Sequence, residues 1–446
     1  MDPHTLHSLP ATEAVRLIRE GALTSEALVK ACLARIAETD GQVKAWVHVD
    51  AEHALDQARA LDRLRMRGRA LGPLHGIPVG LKDIVDTRDF PTERGSPVFA
   101  GRKPDRDARV VERLREAGAV ILGKTKTTEF AFMHPTDTVN PHDMNRTPGG
   151  SSSGSAAAVA AYHVPLAIGT QTNGSVIRPA SFCGVYGFKP TRGMISRTGL
   201  LQTSKSLDQV GVFARSAADA ALLVDVIADY DQDDNLSFAR ARPDNVAGHA
   251  SEAPVPPDLI WIDLPYHDRL APDSREGMDE LLSALGARVE RVPGDKNLFQ
   301  LINVQRVIHE YEIVRHMENT FRSHWDQVSD TLKPVIERGR AISETEYHDA
   351  LGVVASAEAY FEEFFHDFDA VIAPSAAGEA PLVSAGGTGD PIFCSVWTTA
   401  GLPCLNIPLL VGENGLPVGV QLIGPAEHDD RLLRTARWLE TFLQSA

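Results

Sequence analysis

The chain has 446 residues and a formal net charge of −16, with 43% apolar and 23% charged residues. That length is enough to bury a stable core without disulfides or metal. The acidic balance disfavours nucleic acid as a partner, because phosphates attract clustered lysine and arginine. Aromatic residues, at 6%, are too few for a base-stacking surface.

The cysteines and the apolar runs exclude further classes. The four cysteines are widely spaced and form no CxxC motif, so neither a disulfide framework nor a zinc site is expected. The N-terminal segment MDPHTLHSLPATEAVRLIREG has acidic residues and no long apolar core, unlike a signal peptide. The longest run of small apolar residues, 156–168, is too short to span a membrane. We therefore expect a cytoplasmic protein with no membrane partner.

The predicted elements begin with helices over residues 11–65, where Thr24, Ser25 and Glu26 supply N-terminal capping chemistry. From about residue 77, short apolar runs alternate with helical segments. The runs predicted as strands are 119–123, 164–169, 185–188, 210–213, 259–262, 370–373, 404–409 and 418–423. Such alternation predicts an α/β fold, with a mixed or mostly parallel sheet covered by helices on both faces.

We expect residues 1–446 to form one domain with four parts. These are N-terminal helices to about residue 70, a catalytic core at about 71–230, a helical, cap-like region at about 297–366 and C-terminal strands at about 370–446. The polar, proline-rich segment 230–258 is predicted to be an exposed connection, and the glycine- and alanine-rich segment 375–391 a loop.

One lysine and two serines carry the candidate chemistry. Ser151 opens the glycine-rich segment GSSSGS, Ser175 ends GTQTNGS, and Lys82 lies in HGIPVGLKD. A serine hydroxyl needs a base to become a nucleophile, and a lysine can be that base only when neutral. The apolar neighbours of Lys82 predict the burial that lowers a lysine pKa, and Asp83 should point away because neighbours on a strand alternate faces.

The segment before Ser175 fits an oxyanion hole. A glycine-rich turn lets several backbone N–H groups converge on one point, and the candidate donors are Thr172, Asn173 and Gly174. These residues alone leave three non-catalytic interpretations open. Lys82 could be a strand-end lysine that reaches solvent, the segment before Ser175 an ordinary turn, and the segment of Ser151 a serine-rich linker. The helix-forming AAAVAA after Ser151 argues against a linker.

Other motifs are weaker. The GxSxG pattern at 150–154 follows DMNRTP, which is a poor strand for a nucleophile elbow. His309 and His316 lie on one predicted helix without HExxH between them, so a surface or packing role is expected. The ATP-binding pattern GxxxxGK[ST] does not occur.

With these segments in view, the chain resembles the amidase signature family over roughly residues 70–425. The Gly-Gly-Ser-Ser run, the alanine-rich helix, the TxTxGS turn and GIPVGLKD match in order and approximate spacing. Further matches are GKTKTTEFAF (123–132), CGVYGFKPTRGMISRTGL (183–200), SLDQVGVFARS (206–216) and GLPVGVQLIG (415–424). The resemblance implies one α/β domain around a mixed, twisted sheet.

The resemblance also implies roles by position. Ser175 matches the nucleophile, Ser151 the bridging serine, usually preceded by a cis peptide, and Lys82 the base. The turn Thr172–Ser175 matches the oxyanion hole, and the reaction passes through an acyl-enzyme without metal or organic cofactor.

Residues expected to contact substrate include three further positions: Met133, Gly150 and Gln171. The chain departs from the usual DTGGS turn at Gln171 and Asn173, and Arg178 follows the serine by three residues instead of two. We expect either a Gln–Arg contact or loss of the usual Asp–Arg pair. The Asn173 side chain would narrow the acyl pocket or donate a further hydrogen bond.

The leading hypothesis is a free-standing hydrolase of a small or aryl carboxylic amide, with carbamates (urethanes), ureas and some esters as further substrates. Its partners would be a small-molecule amide-type substrate and no nucleic acid, with a homodimer open. An alternative is a glutamine-fed A-type subunit of a tRNA-dependent transamidation complex, because SLDQVG and GLPVGVQLIG resemble those subunits, although the turn is atypical. A third is a catalytically silent binding protein, against which the intact lysine and serines argue.

Overall fold

One mixed sheet of eleven strands organises the fold, in the order β1-β3-β2-β4-β6-β5-β10-β11-β9-β7-β8. The structure is a computed structural model that describes residues 3–445. The strands are β1 Trp46–Val49, β2 Pro78–Lys82, β3 Val120–Thr125, β4 Leu166–Gln171, β5 Tyr186–Lys189, β6 Gln209–Ala214, β7 Leu259–Asp263, β8 Val289–Pro293, β9 Ala370–Pro374, β10 Cys404–Val411 and β11 Pro417–Ile423.

Helices pack around this sheet. They are α1 Ala11–Glu20, α2 Ser25–Val43, α3 Ala51–Met66, α4 Arg109–Glu116, α5 Ser153–Ala160, α6 Ile177–Cys183, α7 Ala217–Ile227, α8 Asn245–Ala250, α9 Pro272–Leu285, α10 Lys296–Ser323, α11 Lys333–Ala341, α12 Glu344–Phe364, α13 Ile392–Thr399 and α14 Asp429–Ser445. No helix within residues 3–445 is long and apolar enough to cross a membrane.

Alternate residues of the strands feed cores on opposite faces of the sheet. On β4, Leu166 and Ile168 pack into a core with α1, α4, α7 and α14, whereas Ala167 packs into a core with α2, α3, α5 and α6. On β9, Ile372 joins the first core and Val371 joins a third, built with α13. The predicted α/β class, with helices on both faces of one sheet, is therefore confirmed.

The sheet is mixed, with parallel pairs near both ends. β2 runs parallel to β3 and β4, and β7 runs parallel to β8 and β9, while the strands between them pair antiparallel. Each of the eight predicted strands overlaps an observed one. The eight predicted runs do not include β1, β2 and β8, although the segment of Lys82 was treated as a strand when Asp83 was oriented. β1 and β8 are edge strands whose positions are mostly partly or fully exposed, so neither forms a continuous buried run.

The parallel pairing of β2 and β4 positions the candidate site. Leu81 pairs with Ile168, so Lys82 and the residues that follow Ile168 emerge at the same edge of the sheet. The helices α5 and α6 begin just after Ser151 and Ser175 respectively, and every residue of α6 is buried. Both serines are therefore held at junctions of rigid, buried elements.

Candidate active site

Lys82 and Ser151 are in hydrogen-bond contact inside the protein. Lys82 Nζ lies 2.7 Å from Ser151 Oγ, and the lysine side chain is fully buried. Burial lowers the pKa of Lys82 to about 7, although the nearby Asp208 carboxylate opposes that effect. A large fraction of Lys82 is therefore neutral near pH 7 and able to accept a proton.

Two neighbours of Lys82 complete its surroundings. Thr170, which the sequence analysis did not single out, places Oγ1 2.8 Å from Lys82 Nζ. The adjacent Asp83 is turned to the other side, where it pairs with Lys124 at 3.0 Å. As strand alternation predicts, the carboxylate beside Lys82 in sequence is engaged with another lysine.

The turn that ends in Ser175 is fixed through its carbonyl groups. Gln305 Nε2, on α10, donates to the Thr172 carbonyl at 3.1 Å. Thr398 Oγ1, on α13, donates to the Asn173 carbonyl at 2.5 Å. Both donors come from helices that lie more than a hundred residues further along the chain.

In contrast to these carbonyl groups, the backbone N–H groups at the end of the same turn are unpaired in the part of the chain that the structure describes. Within residues 3–445, the backbone N–H groups of Asn173, Gly174 and Ser175 donate to no protein acceptor. Ser175 and this turn line a large cavity beside the sheet edge. Unpaired N–H groups at a cavity wall beside a serine are what an oxyanion hole requires.

Gln171 is placed differently from the expected substrate contact. Its side chain is fully buried, and its Oε1 accepts from the backbone N–H groups of Val176 and Ile177 at 2.8 and 3.0 Å. Its Nε2 donates to Thr398 Oγ1 at 2.8 Å. Gln171 therefore caps the first turn of α6, directly after Ser175, and is not among the residues that line the cavity.

Arg178 forms no hydrogen bond with Gln171, so the alternative of a lost pair is the one observed. Its guanidinium donates to the carbonyls of Gly150 and Gly389, both at 2.6 Å, and to Thr388 at 3.2 Å. The Gly150–Ser151 peptide bond is cis. Arg178 thus joins the Ser151 segment to the loop at 386–391, and the Gly150 carbonyl is engaged by this arginine.

Asn173 extends its side chain between two helices. Its Nδ2 donates to Gln305 Oε1 at 3.0 Å, and its Oδ1 accepts from Ser395 Oγ at 2.8 Å. Both neighbours line the cavity with it. We expected the Asn173 side chain either to narrow the acyl pocket or to donate a further hydrogen bond. The side chain lines the cavity, and the hydrogen bond that it donates goes to Gln305.

The cavity has a volume of about 960 Å³, and several segments besides the turn line it. They include residues 131–133, the part of α10 from Phe299 to Glu310, and the loop 386–391. Met133 lies among them and is 53% exposed, as expected of a residue at a rim. His309 also lines this cavity, whereas the sequence analysis assigned it a packing or surface role; His316 is exposed.

No group of three or more His, Cys, Asp or Glu side chains is arranged for a metal ion within the described part of the chain. Its four cysteines are free and buried.

Comparison with known proteins defines the class. The Amidase family model matches residues 27–433, and the chain therefore belongs to the amidase signature family. The A-type subunit of the Glutamyl-tRNA(Gln) amidotransferase from Natranaerobius thermophilus is 33% identical over 98% of this chain and 96% of its own length.

Solved structures agree. The A-type subunit of the Thermotoga maritima Glutamyl-tRNA(Gln) amidotransferase has a TM-score of 0.82 at 30% identity, covering 98% of this chain and 95% of that one. A chain from a vestigial protein complex that reveals the origins of an s-triazine catabolic enzyme has a TM-score of 0.91 at 29% identity, covering 97% and 98%.

These relatives correct the expected partners. We expected a small-molecule amide substrate and no nucleic acid, but curated relatives at 33–36% identity are named as subunits of an enzyme of glutamyl-tRNA. The expectation failed because the net charge of −16 describes one chain only. A protein without a phosphate-binding surface of its own can still work in an assembly in which another subunit holds the nucleic acid.

Proposed function

We propose that the chain is the amide-cleaving A-type subunit of a glutamine-dependent amidotransferase that acts on glutamyl-tRNA. The observation that carries the chemistry is the buried contact of 2.7 Å between Lys82 Nζ and Ser151 Oγ, beside the turn of Ser175. The relatives that cover nearly the whole chain support the amidotransferase assignment over a free-standing hydrolase of linear amides, carbamates or esters.

In this proposal Lys82 is the base, Ser151 the proton carrier and Ser175 the nucleophile. Neutral Lys82 accepts the Ser151 proton while Ser151 accepts that of Ser175, and Ser175 Oγ bonds to the carbonyl carbon of the amide. When the C–N bond breaks, the proton returns to the nitrogen and ammonia leaves. Water then hydrolyses the acyl-enzyme, and the ammonia serves the amidation of glutamyl-tRNA on a partner subunit.

The free N–H groups of residues 173–175 would stabilise the oxyanion. One such donor contributes about 3 kcal/mol of transition-state stabilisation in related chemistry. The carbonyl groups of Thr172 and Asn173 are anchored to Gln305 and Thr398, so the donors do not need to reorganise during reaction. The departures from DTGGS therefore leave the oxyanion site intact.

The charge of the cavity fits a carboxylate-bearing amide such as glutamine. Four arginines and two carboxylates line it, namely Arg178, Arg269, Arg306, Arg338, Glu310 and Asp390. Arg306 and Arg338 share the single Glu310 carboxylate, at 3.1 and 2.6 Å. This local excess of positive charge, in a chain with a net charge of −16, favours an anionic group near the α10–α11 wall.

Purification of the tagged chain from cells that naturally produce it tests the assignment. We expect a second subunit to co-purify, and the complex to convert glutamyl-tRNA to glutaminyl-tRNA with glutamine. The Ser175→Ala complex should lose glutamine use but accept free ammonia, because only the amide-cleaving step is removed. A chain that elutes alone and releases no ammonia from glutamine would refute the proposal.

A further inference from the structure

His309 has a defined environment in the cavity wall. Its ring is buried and lies 4.5 Å from the ring of Phe132, between centroids. Burial lowers the pKa of His309 to about 3, so the imidazole is neutral at pH 7. A neutral imidazole has one donor nitrogen and one acceptor nitrogen, and the neighbours decide which is which.

The neighbours of Nε2 favour one tautomer of His309. Thr203 Oγ1 lies 3.1 Å from His309 Nε2 and donates to Asp208 Oδ1 at 3.3 Å. A carboxylate is a stronger hydrogen-bond acceptor than a neutral imidazole, so we assign the single hydroxyl hydrogen of Thr203 to Asp208, which leaves a lone pair for His309. With this assignment Nε2 carries the ring hydrogen and Nδ1 is the acceptor, and Nδ1 has no hydrogen-bond partner in residues 3–445.

The same aspartate holds this arrangement to the active-site turn. Asp208 accepts from the backbone N–H groups of Thr203 and Ser204, at 2.7 and 3.0 Å. It also accepts from Thr172 Oγ1 at 2.5 Å, at the first residue of the oxyanion turn. His309 is thus connected through Thr203 and Asp208 to the turn that carries the nucleophile.

Three other side-chain acceptors in the cavity wall are already engaged. The carboxylates of Glu310 and Asp390 accept from arginines, and Asn173 Oδ1 accepts from Ser395. Nδ1 of His309 differs from these three acceptors because no protein group in residues 3–445 donates to it. The contact between Nε2 and Thr203 holds the ring in place. A ligand N–H group is the complementary chemistry.

We propose that His309 is a specificity-determining residue whose Nδ1 accepts a hydrogen bond from an N–H group of the bound amide. The inference rests on the proposed function of this cavity as the amide site. It names a contact that neither the triad nor the arginines supply, and it selects substrates that carry an N–H donor over equally shaped ones that do not.

Two substitutions separate this role from a structural one. The amide of glutamine reaches the position of Nε2, whereas that of asparagine reaches the position of Nδ1. His309→Gln therefore keeps the Thr203 contact but removes the acceptor, and should raise KM for glutamine about tenfold, which corresponds to about 1.4 kcal/mol. His309→Asn keeps an acceptor oxygen near Nδ1 and should raise KM less than about threefold, within 0.65 kcal/mol or so.

The native complex is assayed with glutamine, and His316→Asn, an exposed histidine on the same helix, is the matched control. If His309 only supports Thr203 and the turn, the order reverses: His309→Asn suffers more, and kcat falls instead of KM rising. That order, or an unchanged KM in His309→Gln, overturns the inference.

A measurement on the wild type covers the case in which a variant does not fold. With ¹⁵N-labelled histidine, addition of glutamine should move the Nδ1 resonance of His309, and an unmoved resonance overturns the inference. Labelling of Ser175 by a fluorophosphonate distinguishes the two proposals. A silent Ser175 refutes the proposed function and this inference together, whereas a reactive Ser175 with an unmoved His309 refutes this inference alone.

Discussion

Two fully buried lysines lie on neighbouring parallel strands and differ in what they face. Lys82, at the end of β2, meets the hydroxyl groups of Ser151 and Thr170. Lys124, on β3, meets the Asp83 carboxylate at 3.0 Å and the Thr92 hydroxyl at 2.7 Å. Lys82 therefore contacts only neutral hydroxyl groups, whereas Lys124 contacts a counter-ion.

The comparison teaches that burial alone does not make a lysine a base. Burial lowers the pKa of both side chains, but for Lys124 the adjacent Asp83 carboxylate opposes the effect. Lys82 has no such direct partner and reaches a pKa of about 7. Asp83 follows directly after β2, and its carboxylate is directed to Lys124 and not to Lys82.

The largest expected effect comes from removing the lysine that we propose as the base. Lys82→Met should lower kcat/KM for ammonia release from glutamine by about 10³-fold, because general-base assistance contributes roughly 10²–10⁴. Lys124→Met is the matched control and should retain activity at temperatures where it is folded, since Lys124 contacts neither serine. Steady-state assays of the two purified complexes make the comparison, and equal losses in both would contradict it.

Removing the paired lysine should instead affect stability. Lys124→Met leaves Asp83 buried without its counter-ion and should lower the free energy of unfolding by about 3–5 kcal/mol. Denaturant unfolding measures the loss. The double variant Lys124→Met/Asp83→Asn should recover part of it, because no unpaired buried charge is left. A double variant as unstable as the single one would show that packing, and not charge, is responsible.

The pH dependence of stability should distinguish the wild type from Lys82→Met. The folded pKa of Lys82, about 7, lies below the unfolded value of 10.5. Between these values the unfolded chain binds the extra proton, so this lysine makes wild-type stability rise with pH, by up to about 1.4 kcal/mol per pH unit. Unfolding of both proteins at pH 7 to 10 gives the difference in slope. Parallel curves would mean that the pKa of Lys82 is not depressed.

The smallest effect concerns the hydroxyl beside Lys82. Thr170→Val removes an acceptor that favours the ammonium form, so the pKa of Lys82 should fall further and the acid limb of kcat/KM should move to lower pH. Stability should fall by about 1 kcal/mol, the usual contribution of one hydrogen bond. Thr170→Ser keeps the hydroxyl and should behave as the wild type. A limb that moves to higher pH would contradict the assigned contact.

What could be predicted from the sequence was local. The strands, the burial of Lys82 and the orientation of Asp83 follow from apolar neighbours and strand alternation over a few residues. Thr170 was not predicted as a neighbour of Lys82, because nothing in the sequence around it distinguishes it from other threonines. The hydrogen bonds of Gln171 could not be predicted because its partner Thr398 lies 227 positions away in sequence.

His309 shows the same limit. Its position on a helix indicates packing, and only the approach of residues 131–133 and the Thr203 segment makes it part of a cavity wall. The partners could not be predicted for another reason. The net charge of one chain gives no information about the other subunits of an assembly.

The most direct test of the central claim is the rate at which a fluorophosphonate labels Ser175, measured against pH in the native complex. If neutral Lys82 activates the serine, the rate should rise with pH through about 7 and collapse in Lys82→Met, while Lys124→Met follows the wild-type curve. A rate that is flat from pH 5 to 9, or that survives in Lys82→Met, would contradict the account.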